Sequence, residues 1–183
     1  MLRRYKMKKE EVKLKNNIVV VGDAFDETDE KKLLLMKRQV DELNKDIKSH
    51  GGRMINIPDV ISEGLFACWC NAVRTNGVVN AGSYDCVMRE TGDGVQVKSS
   101  QIKPDLTSFG PNSTWDKLFF MDFSSKDEVS IYEIPSEKIY DKILNKSKNE
   151  TFRDQQNQGR RPRLSIHEII EEFQIPPIKN IKI

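Results

Sequence analysis

A chain of 183 residues with 37% hydrophobic content carries enough apolar material for one core of ordinary size with an arm or tail, and it reads as a single domain spanning residues 1–183. The formal charge of +2 is too small to name a partner, but its distribution is uneven: residues 1–15 hold seven Lys or Arg against two acids, and residues 145–163 hold six against two. Three cysteines and two histidines, no secretory h-region and no apolar run near the ~20 residues a bilayer requires lead us to expect no disulfide framework, no CxxC-type zinc site and no membrane span, and a soluble protein of a reducing cytoplasm.

In chain order, residues 1–16 are charged and weakly patterned and are expected to form a loose basic arm, followed by a short apolar run at residues 18–21. Over residues 27–48, Leu33, Met36, Val40, Leu43 and Ile47 recur at three and four with charges between them, so an amphipathic helix ends at Gly51-Gly52. Such a stripe suits a dimer seam or packing on its own domain; the second is the expectation. Pro58-Asp59 starts another helix, in which Ile61, Leu65 and Trp69 share a side. Glu63 sits in this apolar segment, where an uncompensated carboxylate is costly. Cys68 and Cys70 read as buried small hydrophobes.

Residues 83–99 read as a hairpin. Side chains two apart on a strand share a face, so Gln96 and Lys98 point one way and Val95 and Val97 point into a core. With residues 90–93 as the loop, Asp85 falls opposite Lys98 and Val87 opposite Gln96, so that Asp85, Gln96 and Lys98 converge on one surface. A metal-dependent phosphodiesterase needs that combination: oxygen ligands for a hard cation and a cationic group near the attacking water.

Asp85, a ten-residue gap and then Gln96-Val97-Lys98 resemble the PD-(D/E)xK nuclease signature in its variant with Gln at the middle acidic position; Tyr84 stands where the signature has proline. The resemblance implies that Asp85 ligates Mg²⁺, that Gln96 offers its amide oxygen and Val97 its backbone carbonyl, and that Lys98 positions or activates water. A neutral Gln leaves the site one negative charge short, which calls for a further acid. In these nucleases a helix before the hairpin often delivers a Glu to the metal in an Ile-Ser-Glu context, which stands here as Ile61-Ser62-Glu63.

A loop over residues 102–114, strands at 118–123 and 129–134, and a helix from Ser136 through about Leu144 come next. Trp115-Asp116-Lys117-Leu118-Phe119-Phe120 is similar to the strand that follows the motif lysine in many of these enzymes. The order of elements over residues 55–145 resembles the restriction-endonuclease-like core, an α/β fold with a central mixed β-sheet flanked by helices. Residues 146–183 then supply a recognition loop and a terminal helix. Within the loop, Arg153, Gln155, Gln156, Gln158, Arg160, Arg161 and Arg163 combine cationic forks with amides, the groups that most often read guanine and adenine in the major groove or hold phosphates. Residues 165–173 form the closing helix before Pro176-Pro177.

The resemblance, the chain length and the lack of a helicase or methyltransferase module imply a small type II restriction endonuclease, similar to the compact group that cuts GC^NGC. Its activity would be Mg²⁺-dependent hydrolysis of double-stranded DNA by a homodimer, with a cognate DNA methyltransferase as its functional counterpart. A resolvase or repair nuclease of the same fold, and a non-catalytic DNA-binding protein, are the alternatives.

Overall fold

The charged segment expected as a loose arm holds a strand at Lys8–Lys13. The computed structural model describes residues 7–75 and 83–183, and the chain divides into two units, Met1–Val95 and Gln96–Ile183. In the first, β1 (Lys8–Lys13) pairs antiparallel with β2 (Val19–Ala24) around a turn in which Leu14 N–H donates to Ile18 O (2.8 Å) and Asn17 takes a left-handed φ of 68°. The charged residues of this segment hid the strand, because it buries only Val12 and leaves its lysines exposed.

Helix α1 (Glu27–Ser49) starts at Asp26, whose carboxylate accepts from the amides of Thr28 and Asp29 while Asp29 returns a bond to the Asp26 amide. This capping box satisfies amides that the first turn leaves without partners. The expected apolar stripe is not the buried one. Leu33 is buried, but Met36 and Leu43 are exposed, and the inner line is completed by Asp29, Lys37 and Asn44. Polar groups suit that line because each is satisfied: Lys37 pairs with Asp41 at 2.7 Å, and Asn44 bonds both the amide and the carbonyl of Ile55 at 2.8 and 3.0 Å. Helix α2 (Asp59–Trp69) follows Pro58 as expected and buries every residue from Ile61 to Ala67. Gly64 lets it approach α1 closely, since a Cβ there would meet Leu33 Cδ1 at 2.8 Å.

Two short strands, β3 (Ala72–Arg74) and β4 (Cys86–Met88), lead to β5 (Gly94–Ser100), giving the antiparallel order β1-β2-β3-β4-β5. The hairpin register differs from expectation by two residues: Cys86 pairs with Val95 and Val87 with Gly94, not with Gln96. The chain turns early because Gly92 takes φ +70° and Met88 closes the loop on both sides, donating to Asp93 O (3.0 Å) and accepting from Gly92 N–H (2.9 Å). A shift of two preserves the parity of faces, so the alternation along β5 survives, but Asp85 does not stand opposite Lys98.

β5 leaves the first unit at Val95 and opens the second at Gln96. There the order is β5-β7-β8-β12, with β6 (Thr107–Ser108) in the intervening loop, β7 (Lys117–Asp122), β8 (Glu128–Ile134) and, at the end of the chain, β12 (Lys179–Lys182). Helix α3 (Ser136–Tyr140) stops short of the expected Leu144, because Ile143–Asn145 is strand β9, paired with β10 (Glu150–Thr151). The expected recognition loop is partly ordered. It holds helix α4 (Phe152–Asn157), with a Thr151/Asp154 capping box, and β11 (Arg163–Leu164), paired with β6. Helix α5 (Ile166–Phe173) follows, capped by Ser165. An aromatic-rich core of Phe109, Trp115, Leu118, Phe120, Ile134, Ile139, Phe152, Leu164, Ile166 and Ile169 holds these elements together. The α/β class and central sheet with helices agree with a restriction-endonuclease-like fold. Among the described residues, no helix is long and apolar enough to cross a membrane.

Candidate active site

Glu63 comes from the buried face of α2, with a relative exposure of only 9%. Across from it, Arg74 at the end of β3 donates from Nε to Glu63 Oε2 at 2.6 Å, and its Nη1 lies 3.9 Å from Asp23 Oδ2 on β2. Lys9 pairs with the other oxygen of Asp23 at 2.5 Å. Burial, and then the charge of Asp85, push the Glu63 carboxyl up to about 7, against the opposing pull of Arg74.

The backbone of Asp85 is fixed from two sides: its amide donates to Val95 O at 2.8 Å and its carbonyl accepts from Thr75 N–H at 2.9 Å. Val95 is the residue before Gln96. Along β5, Val95 and Val97 are buried, Gln96 is 5% exposed, and Lys98 is half-buried. The Lys98 ammonium stands 5.4 Å from the centre of the Phe109 ring. Oxygen atoms dominate the expected ligand set of Glu63, Asp85, Gln96 and Val97, which suits a hard divalent cation. Among the described residues, no group of three or more His, Cys, Asp or Glu could hold a metal ion; the expected set, with only two carboxylates, is not such a group.

The cysteines are free thiols. Burial, and then the carboxylates of Glu30, Asp29 and Asp26, push Cys68 up to about 12; Cys86, fully buried, donates to Glu63 O at 3.7 Å and lies well above the ordinary thiol range. Both shifts disfavour the thiolate, which is the nucleophilic form.

The basic segment is tied to its own chain more than expected. Glu150 Oε2 accepts from Gln155 Nε2 (3.0 Å) and Arg160 Nη1 (2.8 Å), and Oε1 accepts from Gln158 Nε2 (3.0 Å). Gln156 Nε2 donates to the carbonyls of Gly110 and Ser113 at 3.0 and 3.2 Å. Arg153 lies 4.1 Å over the Tyr140 ring, and Arg161 and Arg163 are exposed.

The sequence model of the Bsp6I restriction endonuclease family matches residues 25–172. This chain belongs to that family. The type II restriction enzyme Bsp6I from Bacillus sp. (strain RFL6) is 35% identical over 146 residues, covering 78% of this chain and 81% of that enzyme. No solved structure matches. The expectation of a type II restriction endonuclease, a sequence-specific endodeoxyribonuclease, is thereby borne out. Within this family member, sequence reasoning missed Arg74, Asp23, Phe109 and Glu150. A lone arginine closing the apolar Ala72-Val73 run was a readable signal for the first; the others gave none, because their roles depend on pairings across the fold.

Proposed function

We propose that this family member cuts both strands of a short palindromic DNA site, GCNGC cut as GC^NGC, in a Mg²⁺-dependent hydrolysis carried by Glu63, Asp85, Gln96, Val97 and Lys98. The observation that carries this reading is the continuity of β5. The strand that receives the Asp85 amide at Val95 goes on directly to Gln96, Val97 and Lys98. The buried Glu63 supplies the extra acid that a neutral Gln96 makes necessary.

Glu63, Asp85, the Gln96 amide oxygen and the Val97 carbonyl would hold the cation. When bound, Mg²⁺ lowers the pKa of water and offsets charge on the phosphate. Lys98 orients the attacking water by hydrogen bonding and offsets the negative charge that grows on the phosphoryl oxygens during in-line displacement. Arg74 aligns Glu63 and favours its anionic form against the burial that raises it, since its guanidinium bonds the anion.

For DNA contact, the exposed Arg161 and Arg163 are the first candidates, with Arg153, Arg160 and Gln158 held in prepared positions by Tyr140 and Glu150. Gln155 and Gln156 serve mainly to hold the segment in shape. Two cuts in a palindrome call for a homodimer whose two-fold axis matches that of the DNA. The exposed Leu35, Met36 and Leu43 on α1 offer apolar surface for the contact. A cognate methyltransferase would protect the host's sites in the prokaryotic cytoplasm.

Digestion of phage DNA with Mg²⁺, followed by sequencing of the fragment ends, tests the reading. Ends at GCNGC support it. Discrete ends at another sequence overturn the specificity, and cutting that proceeds in EDTA overturns the metal.

A further inference from the structure

The ring of Phe109 is fixed unusually firmly for a residue in a connecting loop. It is fully buried, tilted against Trp115 at 5.4 Å between centres and edge-on to Phe152 at 5.1 Å. The Phe109 amide donates to Pro162 O at 3.0 Å. Immediately before it, β6 is paired with β11; immediately after it, the Gly110 carbonyl accepts from Gln156 and the Gly110 amide donates to Ser113 Oγ at 3.1 Å. Residues 152–164 thus grip the loop by backbone, side chain and ring. The Lys98 ammonium lies within the range at which an aromatic face attracts a cation.

A lysine stem has four rotatable bonds, and its ammonium needs an external reference to stay in one place. Hydrogen bonds to a carboxylate would fix it but would use its donors and offset its charge. A ring face attracts the charge while the N–H groups keep their direction for water or phosphate.

We infer that Phe109 is a positioning residue for Lys98, and that Gln156 is the latch that secures the Phe109 loop and does not read a base. The inference rests on the proposed part of Lys98 in cleavage. It gives the basic segment a second duty, since the same stretch that presents Arg161 and Arg163 also sets where the ammonium stands.

The test is a split between binding and cleavage. Phe109→Leu keeps an apolar side chain and removes the ring face. It should lower the single-turnover cleavage rate on the order of tenfold, with cognate affinity in Ca²⁺ unchanged within about twofold and with Phe109→Tyr restoring most of the rate. Gln156→Leu should show the same split, with its preference for cognate over scrambled DNA unchanged. In the wild type, the Lys98 ε-methylene protons, assigned by comparison with Lys98→Arg, should resonate upfield of the other lysines under the ring current. This measurement stands even if a Phe109 variant does not fold. An ordinary lysine shift, a normal rate in Phe109→Leu, or lost discrimination in Gln156→Leu overturns the inference. Lys98→Ala inactive beside a normal Phe109→Leu rejects the inference alone, whereas Lys98→Ala cutting at the normal rate rejects the reading beneath it.

Discussion

Replacing His167 by glutamine should uncouple α5 from the end of β7, with a cost that depends on pH in a defined direction. His167 is buried between two carboxylates: Nδ1 lies 2.9 Å from Asp105 Oδ1 and Nε2 lies 3.2 Å from Asp122 Oδ2, with Phe120 edge-on at 4.9 Å and the Lys103 ammonium 3.0 Å from the same Asp122 oxygen. Asp105 also accepts from Ser165 Oγ, Thr107 Oγ1 and the amides of Ile166 and His167, so it both caps α5 and pairs with its first turn. Burial alone would discourage the imidazolium, but its hydrogen bond to Asp105 and the negative charge of Asp122 beside it outweigh that and raise His167 to about 9 from an ordinary 6.5. The folded chain therefore holds this proton more tightly than the unfolded chain. The stabilisation is complete below about pH 6.5, erodes as pH rises and is gone above about pH 9. The shift corresponds to about 3 kcal/mol before screening and to on the order of 2 kcal/mol once partial solvation is allowed for. Urea unfolding of the wild type and His167→Gln at pH 6, 7.5 and 9.5 reads this directly. The variant should be less stable by about 3 kcal/mol at the lowest pH, because it leaves a buried carboxylate pair without its cation, and the gap should narrow as pH rises. A gap that stays constant or widens between pH 6 and 9.5 would refute the assignment of a charged His167.

Other expectations follow from the same geometry. Gly22→Ala places a Cβ 2.5 Å from the Arg74 carbonyl and from Val73 Cγ1, so β2 and β3 must separate; thermal unfolding should show a loss of about 1–3 kcal/mol, and an unchanged midpoint would contradict the pairing. Glu150→Ala releases Gln155, Gln158 and Arg160 from their shared acceptor. Its ratio of cognate to scrambled DNA affinity should fall while salt-sensitive non-specific binding persists, and an unaltered ratio would remove Glu150 from any part in recognition. Gln96→Glu adds a carboxylate to the proposed ligand set and should retain cleavage with a changed preference among Mg²⁺, Mn²⁺ and Ca²⁺; complete loss would mean that the amide does something else.

The elements legible in the sequence were those whose signal is local. Helix α2 announced itself through Pro58-Asp59 and its apolar run, α5 through Ser165 and the closing prolines, and β7 and β8 through apolar stretches bounded by turn residues. Elements whose stability is borrowed from neighbours were not legible. β3 is three residues long and exists because β2 and β4 flank it, and β1 conceals its one buried valine among charges. Helix α4 did carry a local sign, the Thr151-x-x-Asp154 capping pair, which the Arg/Gln composition obscured. In the candidate site, Glu63 was readable because a carboxylate in an apolar helix demands a partner. That the partner is Arg74 follows only from the fold. The hairpin register failed by two residues because the turn is decided by the left-handed Gly92 and the bonds at Met88, which alternation alone does not reveal.

The most direct test of the account is single-turnover cleavage of a cognate duplex by Asp85→Ala and Lys98→Ala, with binding of the same duplex measured in Ca²⁺. Both variants should bind the duplex much as the wild type does and leave both strands intact in Mg²⁺. Cleavage by Lys98→Ala at the wild-type rate would contradict the assignment of β5 as the catalytic strand.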